Sequence, residues 1–542
     1  MAVQLKTPGV YVEEIATLPP SVAEVSTAVP AFIGYVERGD GAARIGSFLE
    51  YQALFGTAPP ARFNVGVPAD PNATALTLER QDEPAAATLF YAVSHYFANG
   101  GGPCWIIPIG GGANAAADFA AGLARLEQED EPTLILFPQA AERLDLDDYG
   151  ALAQAALAQC NKLKDRFVLL DVPGGDVGGF RNAVGNNNLS YAAAYHPYLA
   201  TTITWHTDDA SVSVERMTGG VTMFTKDFPA GGGGLTVGFA GNADAAPRVR
   251  IVMGAAADGI SFKLEGKTLI IGNVDGKTGA VIFDAWQAAP DKPAGFTIGK
   301  QGAGDGTLAA TAAAGTPLVA QATSTQLSEL KTGQTALYNQ VKEAVARVRV
   351  TLPPSAAVAG AYASVDRDRG VWRAPANVGL NATIAPVTRV TDTDQQDLNV
   401  DTTAGKSINV IRAFAGKGTL IWGARTLAGN DNEWRYVPVR RLFITVEEST
   451  RKASAFAVFE PNDPTTWLKV KGMIESYLYS LWERGALAGS KPEAAYYVNV
   501  GLGRTMTAQD VLEGRLIVEI GIAAVRPAEF VVLRFMHRLQ QG

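Results

Sequence analysis

Residues 133–172 read TLILFPQAAERLDLDDYGALAQAALAQCNKLKDRFVLLDV. Two continuous apolar runs, TLILF (133–137) and FVLLDV (167–172), enclose a segment of helical character, DLDDYGALAQAALAQCNKLK (145–164). Runs this short, apolar at consecutive positions and bounded by Pro, Gly or charge, read as strands buried on both faces. Strand, helix and strand in that order predict an α/β layer with a largely parallel sheet.

The alternation continues outward through 28–200. AVPAFIGYV (28–36) and CWIIPI (104–109) are further buried strands. SFLEYQALFG (47–56), PAAATLFYAVSHYFANG (84–100) and ADFAAGLARLEQED (117–130) are helices, the second opening on Pro84 and stopping at Asn99-Gly100. From 201 to 322 helical periodicity fades, and β-rich runs such as LTVGFAG, RVRIVMG and ISFKLEGKTLIIGNVDGKTGAVIFDAW take over. Glu265-Gly266 and Asp275-Gly276 sit between them as hairpin turns do. A helix near 325–346 then returns the chain to its parent domain. Further on, 462–487 carries Trp467, Val470, Ile474, Tyr477, Leu478 and Leu481 as one apolar stripe of a long helix. Thr507 and Asp510 form a capping-box pattern, RLIVEIGIAAV (515–525) alternates, and EFVVLRFMHRL (529–539) ends the chain as a strand. The expected organisation is an arm and linker at 1–25, an α/β domain at 26–200 and 351–407, an inserted β-rich domain at 201–350, and a C-terminal domain at 408–542.

Among 542 residues, 47% are hydrophobic and 18% charged, so large cores are expected. The net charge of −8 disfavours a coat for nucleic acid, which needs concentrated Lys and Arg. The N-terminus does not read as a secretory signal, and no apolar run is long enough to span or stably hold a membrane. Synthesis in a cytoplasm is expected, with Cys104 and Cys160 as buried thiols rather than a disulfide framework.

No catalytic, cofactor or metal constellation stands out. GKS (405–407) lacks the leading glycine of a phosphate loop, since position 400 is Val400. The four histidines, His95, His196, His206 and His537, fall in no metal-binding pattern, and there is no GxSxG elbow. Acidic pairs such as Asp147-Asp148 are solvated faces, and TDTDQQD (391–397) reads as a polar loop rather than a calcium site.

The chain ends carry more information. GVYVEEI (9–15) is β-prone and is cut off by Leu18-Pro19-Pro20, a stiff tether whose prolines cannot continue a ladder. EFVVLRFMHRL is apolar, β-branched and aromatic. Such strands either pair within their own subunit or add to a sheet of a neighbour. Four to six ladder bonds at about 0.5–1.5 kcal/mol each would give a few kcal/mol per exchanged strand.

Several pieces together resemble the contractile tail sheath proteins of phages, R-type bacteriocins and extracellular contractile injection systems. They include TPGVYVEEI (7–15), STAVPAFIGYVERG (26–39), PPSAAVAGAYASVDRDRGVWRAPAN (353–377), WRYVPVRRLFITVEES (434–449), FAVFEPNDPTTW (456–467) and TMTAQDVLEGRLIVEIGIAAVRPAEFVVLRF (505–535). The resemblance covers about 5–200 and 350–542. It implies an α/β and α+β multidomain fold with a subtilisin-like middle domain, a β-rich outer insert and a C-terminal domain with exchanged terminal strands. It also implies a non-enzymatic subunit that stacks in helical rings around an inner tube, meets baseplate and tail terminator proteins, and contracts to drive the tube through a target envelope. A non-contractile shell, or a surface- or glycan-binding protein acting through 201–350, is the alternative. By position, the N-terminal arm residues are Thr7, Gly9, Val10, Tyr11, Val12 and Ile15. Those of the C-terminal arm are Phe530, Val531, Val532, Leu533, Phe535 and Leu539. For tube contact the long helix near 464–484 offers Lys469, Lys471 and Arg484, although a core helix with solvated lysines has the same pattern.

Overall fold

The structure is a computed structural model and describes residues 21–67, 76–81, 88–111, 114–216, 222–229, 233–241, 245–254, 259–321, 323–530 and 532. The chain divides into two units, one of Met1–Ala58, Pro84–Ile203 and Arg349–Gly542, the other of Pro59–Glu83 and Thr204–Val348.

The first unit is built on a nine-stranded sheet. Its six central strands, Cys104–Pro108, Pro30–Gly34, Leu134–Leu136, Phe167–Asp171, Ala192–His196 and Ile408–Phe414, lie side by side in that order and all run parallel. Numbered along the chain, that order is 2-1-3-4-5-6, a doubly wound arrangement of the flavodoxin type. Every residue of Pro30–Gly34, Phe167–Asp171 and Ala192–His196 is buried, so both faces of the sheet are covered. The helix Ser355–Arg369 packs on the helix Thr88–Ala98, and Leu146–Leu163 packs on Ala115–Leu126. Close approach of the first pair depends on Gly360, where a Cβ would meet the Tyr96 carbonyl oxygen at 2.5 Å.

The crevice at which doubly wound sheets take up ligands, between Pro30–Gly34 and Leu134–Leu136, is filled by the chain itself. Gln139 Oε1 accepts from the Tyr35 N–H at 2.7 Å, the Tyr35 hydroxyl donates to Asp118 at 2.8 Å, and the Arg143 guanidinium lies 4.5 Å from the centre of the Tyr35 ring. Elsewhere, Asp171 accepts from Ser355 N and Oγ at 2.8 and 2.6 Å. Both residues are buried and no histidine is bonded to either among the described residues, so the pair caps the Ser355–Arg369 helix rather than arming a nucleophile.

Several expectations need correction. The strands Ile408–Phe414 and Gly418–Ile421 belong to the nine-stranded sheet, so the boundary placed at 407/408 cuts through it. TDTDQQD is not a loop but the start of the helix Asp392–Asn399, whose N-cap Thr391 forms a reciprocal box with Asp394. In the second unit, Gly279–Ala288 is a helix burying Ile282 and Trp286 one turn apart, so Asp275-Gly276 leads into a helix and not a hairpin. Glu265-Gly266 does join an antiparallel pair, Ser261–Glu265 with Thr268–Gly272.

The second unit has two cores. One combines the sheet order Phe296–Lys300, Leu235–Gly241, Thr222–Phe228, Val319–Gln321 with the order Ser261–Glu265, Thr268–Gly272, Arg248–Val252, Thr316–Pro317, packed around Val249, Ile271 and Trp286. The other places Phe63–Val67 parallel to Val212–Arg216 and buries Val65 and Val214 against Tyr338 and Val341. Pro59–Glu83 is therefore part of this unit, although its short strands carry too few apolar residues to announce it. The helical segment near 325–346 is two helices, Leu327–Gly333 and Thr335–Ala346, and its buried residues serve the second unit's core instead of returning the chain.

His95, fully buried in the first unit, carries a pH signature. Burial pushes its imidazole from 6.5 down to about 4, outweighing the hydrogen bond to the Asn381 carbonyl. The unfolded chain takes up a proton near pH 6.5 that the folded chain refuses until about pH 4. Stability from this site is therefore intact above pH 6.5 and falls as pH drops, by about 3 kcal/mol once pH is below 4. His95→Gln, which keeps a donor toward Asn381 and Thr383, should flatten the loss between pH 6.5 and 4 in chemical denaturation, and an unchanged slope would refute the assignment.

Candidate assembly surface

The C-terminal module of the first unit contains a sheet of two strands, Tyr496–Val500 and Val518–Ile522, antiparallel with Val498 opposite Ile520. It packs on the long helix Pro464–Glu483, whose Val470, Met473, Ile474, Tyr477, Leu478 and Leu481 are buried. The helix begins at Asp463, which accepts from Thr466 N at 2.9 Å, followed by Pro464 at its first position. Beyond Ile522 the chain stays tied to its own module: Ala523 N donates to Ala495 O at 2.8 Å, Ala488 N donates to Ala523 O at 2.7 Å, and Ala524 bridges Leu487. Among the described residues neither strand has a second ladder neighbour. A pair of strands is marginal alone, and each free edge presents unpaired N–H and C=O groups.

Along the edge of Val518–Ile522 runs a groove of about 920 Å³, lined by Val458, Phe459, Val470, Ile474, Val518 and Ile520, with Glu447, Arg451 and Glu460 also at its wall. Its lining mixes apolar side chains with charged ones, and it adjoins a strand that has one ladder partner among the described residues. That is the geometry of a site for an added strand.

Both chain ends are anchored where they leave this module. On the N-terminal side, Val22 packs on the module's core, Val25 N donates to Ser449 Oγ at 3.2 Å, and Glu24 pairs with Arg484 at 2.9 Å. The Thr27 carbonyl accepts from Arg441 at 2.9 Å. On the C-terminal side, the Glu529 carboxylate accepts from Arg425 at 2.8 and 2.6 Å, from Asn399 at 2.8 Å and from the Tyr436 hydroxyl at 3.1 Å. Burial alone would raise the Glu529 carboxyl, but these donors outweigh it and hold it below the ordinary glutamate range. Immediately beyond, Phe530 and Val532 are 70% and 75% exposed.

Comparison with known proteins accords with this geometry. A model of the phage tail sheath C-terminal domain matches residues 429–537, the span that holds the long helix, the two-stranded sheet and the root of the C-terminal arm. The tail sheath protein of Vibrio phage KVP40 is 28% identical over 137 residues, which cover 25% of this chain and 20% of that relative's length. Two cryo-EM structures match almost end to end. One is the sheath of an extracellular contractile injection system, PVC, in its contracted state, at TM-score 0.56 and 27% identity over 99% of this chain and 98% of the other. The second is the helical sheath of the anti-feeding prophage, also contracted, at TM-score 0.56 and 28% identity over 98% and 99%. Residues 429–537 are thus similar to the tail sheath C-terminal domain, and the whole chain is similar to the sheaths of contractile injection systems.

The residues singled out from sequence fall into three groups. Thr7, Gly9, Val10, Tyr11, Val12 and Ile15 lie outside the described residues, as do Val531, Leu533, Phe535 and Leu539. Phe530 and Val532 are described and face solvent. Of the three cations on the long helix, Lys469 lies on its exposed face beside Leu468, and Lys471 pairs with Glu475 at 3.5 Å. Arg484 is committed to Glu24 and stacks 5.2 Å over the Trp372 ring, so it holds the N-terminal linker. Sequence reasoning missed the Glu529–Arg425 anchor and Phe459. The first joins positions 104 apart and leaves no local signal.

GKS (405–407) binds inward: Lys406 is buried and its ammonium donates to the Arg181 carbonyl. No group of three or more His, Cys, Asp or Glu is arranged to hold a metal among the described residues.

Proposed function

We infer that this chain is the sheath subunit of a contractile, phage tail-like machine, polymerising helically around an inner tube and contracting to drive that tube through a target envelope. The observation that carries the reading is the two-stranded sheet with unpaired edges and an apolar groove beside it, in a module whose chain ends leave from fixed anchors. The N-terminal arm (Thr7 to Ile15) and the C-terminal arm (Glu529 to Leu539) supply the missing strands to neighbouring copies. Each exchanged strand contributes a few kcal/mol, enough to link an open helical array when every copy repeats it.

In this reading the α/β unit is the subtilisin-like middle domain, and the second unit decorates the outer surface of the tube. Lys469 and Lys471, on the long helix, face an acidic inner tube, while baseplate and terminator proteins bind the ends of the stack. The extended lattice is metastable. On triggering, subunits rotate outward as nearly rigid bodies while the exchanged strands keep them connected. A bias of a few kcal/mol per subunit, summed over many copies, makes the transition decisive without nucleotide. Similarity to two sheaths solved in the contracted state supports this over a shell of fixed diameter.

Electron microscopy of assembled material before and after mild denaturant tests it. Tubes of two discrete diameters are expected, and tubes of a single diameter under every condition would return the reading to a non-contractile shell.

A further inference from the structure

Among the described residues, Phe459 is the most exposed large apolar side chain. It is fully exposed, at 103% of its reference area, and its backbone lies in the left-handed region at φ 70°. Val458 beside it is 62% exposed. A Cβ-bearing residue is strained there and glycine is not. The position is held firmly on both sides: Val458 N donates to Ala455 O and Glu460 N to Ala457 O, both at 3.2 Å, and Trp467 Nε1 donates to Asn462 at 2.6 Å. The fold therefore keeps a large aromatic in an unfavourable conformation, in water, at the wall of the groove beside the free edge of Val518–Ile522. Strain of this kind, maintained by well-bonded surroundings, marks a working position.

We propose that Phe459 is an aromatic clamp that closes over the C-terminal arm of a second copy when that arm pairs with the edge of Val518–Ile522. The proposal rests on the strand-exchange reading above and names its receiving residue. The C-terminal arm is the chosen occupant for two reasons. Its first apolar residues, Phe530 and Val532, are uncovered in their own subunit directly beyond the Glu529 anchor. It also carries Arg534 and Arg538, which complement Glu460 at the groove, where Glu447 is already paired with Arg440 at 3.7 Å, whereas the N-terminal arm would bring Glu13 and Glu14. Arg451, the cation at that wall, is already matched by Glu448 and Asp130. A central aromatic anchor of this type dominates binding at protein interfaces.

Phe459→Gly in the full chain separates binding from folding. The unassembled subunit should melt at the wild-type temperature or about 2 °C above it, because strain is removed. Its critical concentration for assembly should rise roughly 30-fold or more, the loss expected for an aromatic hot spot. Phe459→Leu should fall between the two. Wild-type assembly by Phe459→Gly, or a lowered melting temperature, overturns the clamp. Deletion of 529–542 tells which idea has failed. If that deletion also assembles normally, strand exchange by this arm is wrong, and if it alone abolishes assembly, only the clamp is wrong. Paired Phe459→Cys and Val532→Cys substitutions should give oxidised dimers and ladders on non-reducing gels, since Cys104 and Cys160 are buried and do not compete. Cross-linking within one copy, or to Val12→Cys in place of Val532→Cys, overturns the choice of occupant.

Discussion

Removing residues 1–15 should yield a folded, soluble subunit that no longer builds long tubes. The deleted segment ends before the Pro19-Pro20 tether, so Val22, Glu24, Val25 and Thr27 keep their contacts with the C-terminal module. The melting temperature of the subunit should therefore hold within about 2 °C, while sedimentation and electron microscopy report short or absent tubes. Losing four to six ladder bonds per copy weakens each link by a few kcal/mol, or roughly two to four decades in association. Tubes of normal length and number would mean that the N-terminal arm connects nothing. An unfolded product would mean that the segment pairs within its own subunit.

The largest stability effect is expected from Asp366→Ala. Arg441 donates to both Asp366 carboxylate oxygens, at 3.0 and 2.6 Å, with side-chain exposures of 3% and 4%. Its guanidinium also lies 4.7 Å over the Tyr362 ring and donates to the Thr27 carbonyl. The pair joins the helix Ser355–Arg369 of the α/β layer to the helix Val437–Ala453 of the C-terminal module, and both to the root of the N-terminal arm. Deleting the carboxylate strands a cation in a dry site, at a cost of about 3–5 kcal/mol, a large share of a typical domain's stability. The double variant Asp366→Ala with Arg441→Met should recover most of that loss, because the uncompensated charge goes with it. Urea denaturation followed by a probe in the first unit is the measurement. A loss under about 1 kcal/mol would show that the pair is replaced by water or by a rearranged partner. Even the double variant should assemble less well, since the Thr27 carbonyl loses one of its two donors and keeps only the Thr133 hydroxyl, which loosens the origin of the arm.

Much of the fold was legible because its signals are local. Leu134–Leu136 is apolar at every position and Phe167–Asp171 at its first four, since both sheet faces are covered, and that alone separates them from the amphipathic Leu146–Leu163 helix between them. The Thr507–Asp510 box and the stripe on Pro464–Glu483 are likewise set within one or two turns. Where local signals conflicted, the reading failed. VIFDAW is rich in β-formers, yet Ile282 and Trp286 make it a helix by fitting one core. TDTDQQD looked like a loop by composition, although Thr391 and Asp394 had the cap spacing.

By its order alone the chain establishes the parallel α/β layer, the change to β-structure after residue 200 and the apolar character of both ends, because periodicity and turn chemistry depend on neighbours within a few residues. Folding in three dimensions was needed to bring Glu24 to Arg484 across 460 positions, to fix Glu529 on Arg425, to enlist 59–83 in the second unit and to leave Phe459 bare beside an unpaired edge. Those outcomes depend on where distant segments meet and which surfaces they leave uncovered, and no run of adjacent residues encodes that path on its own.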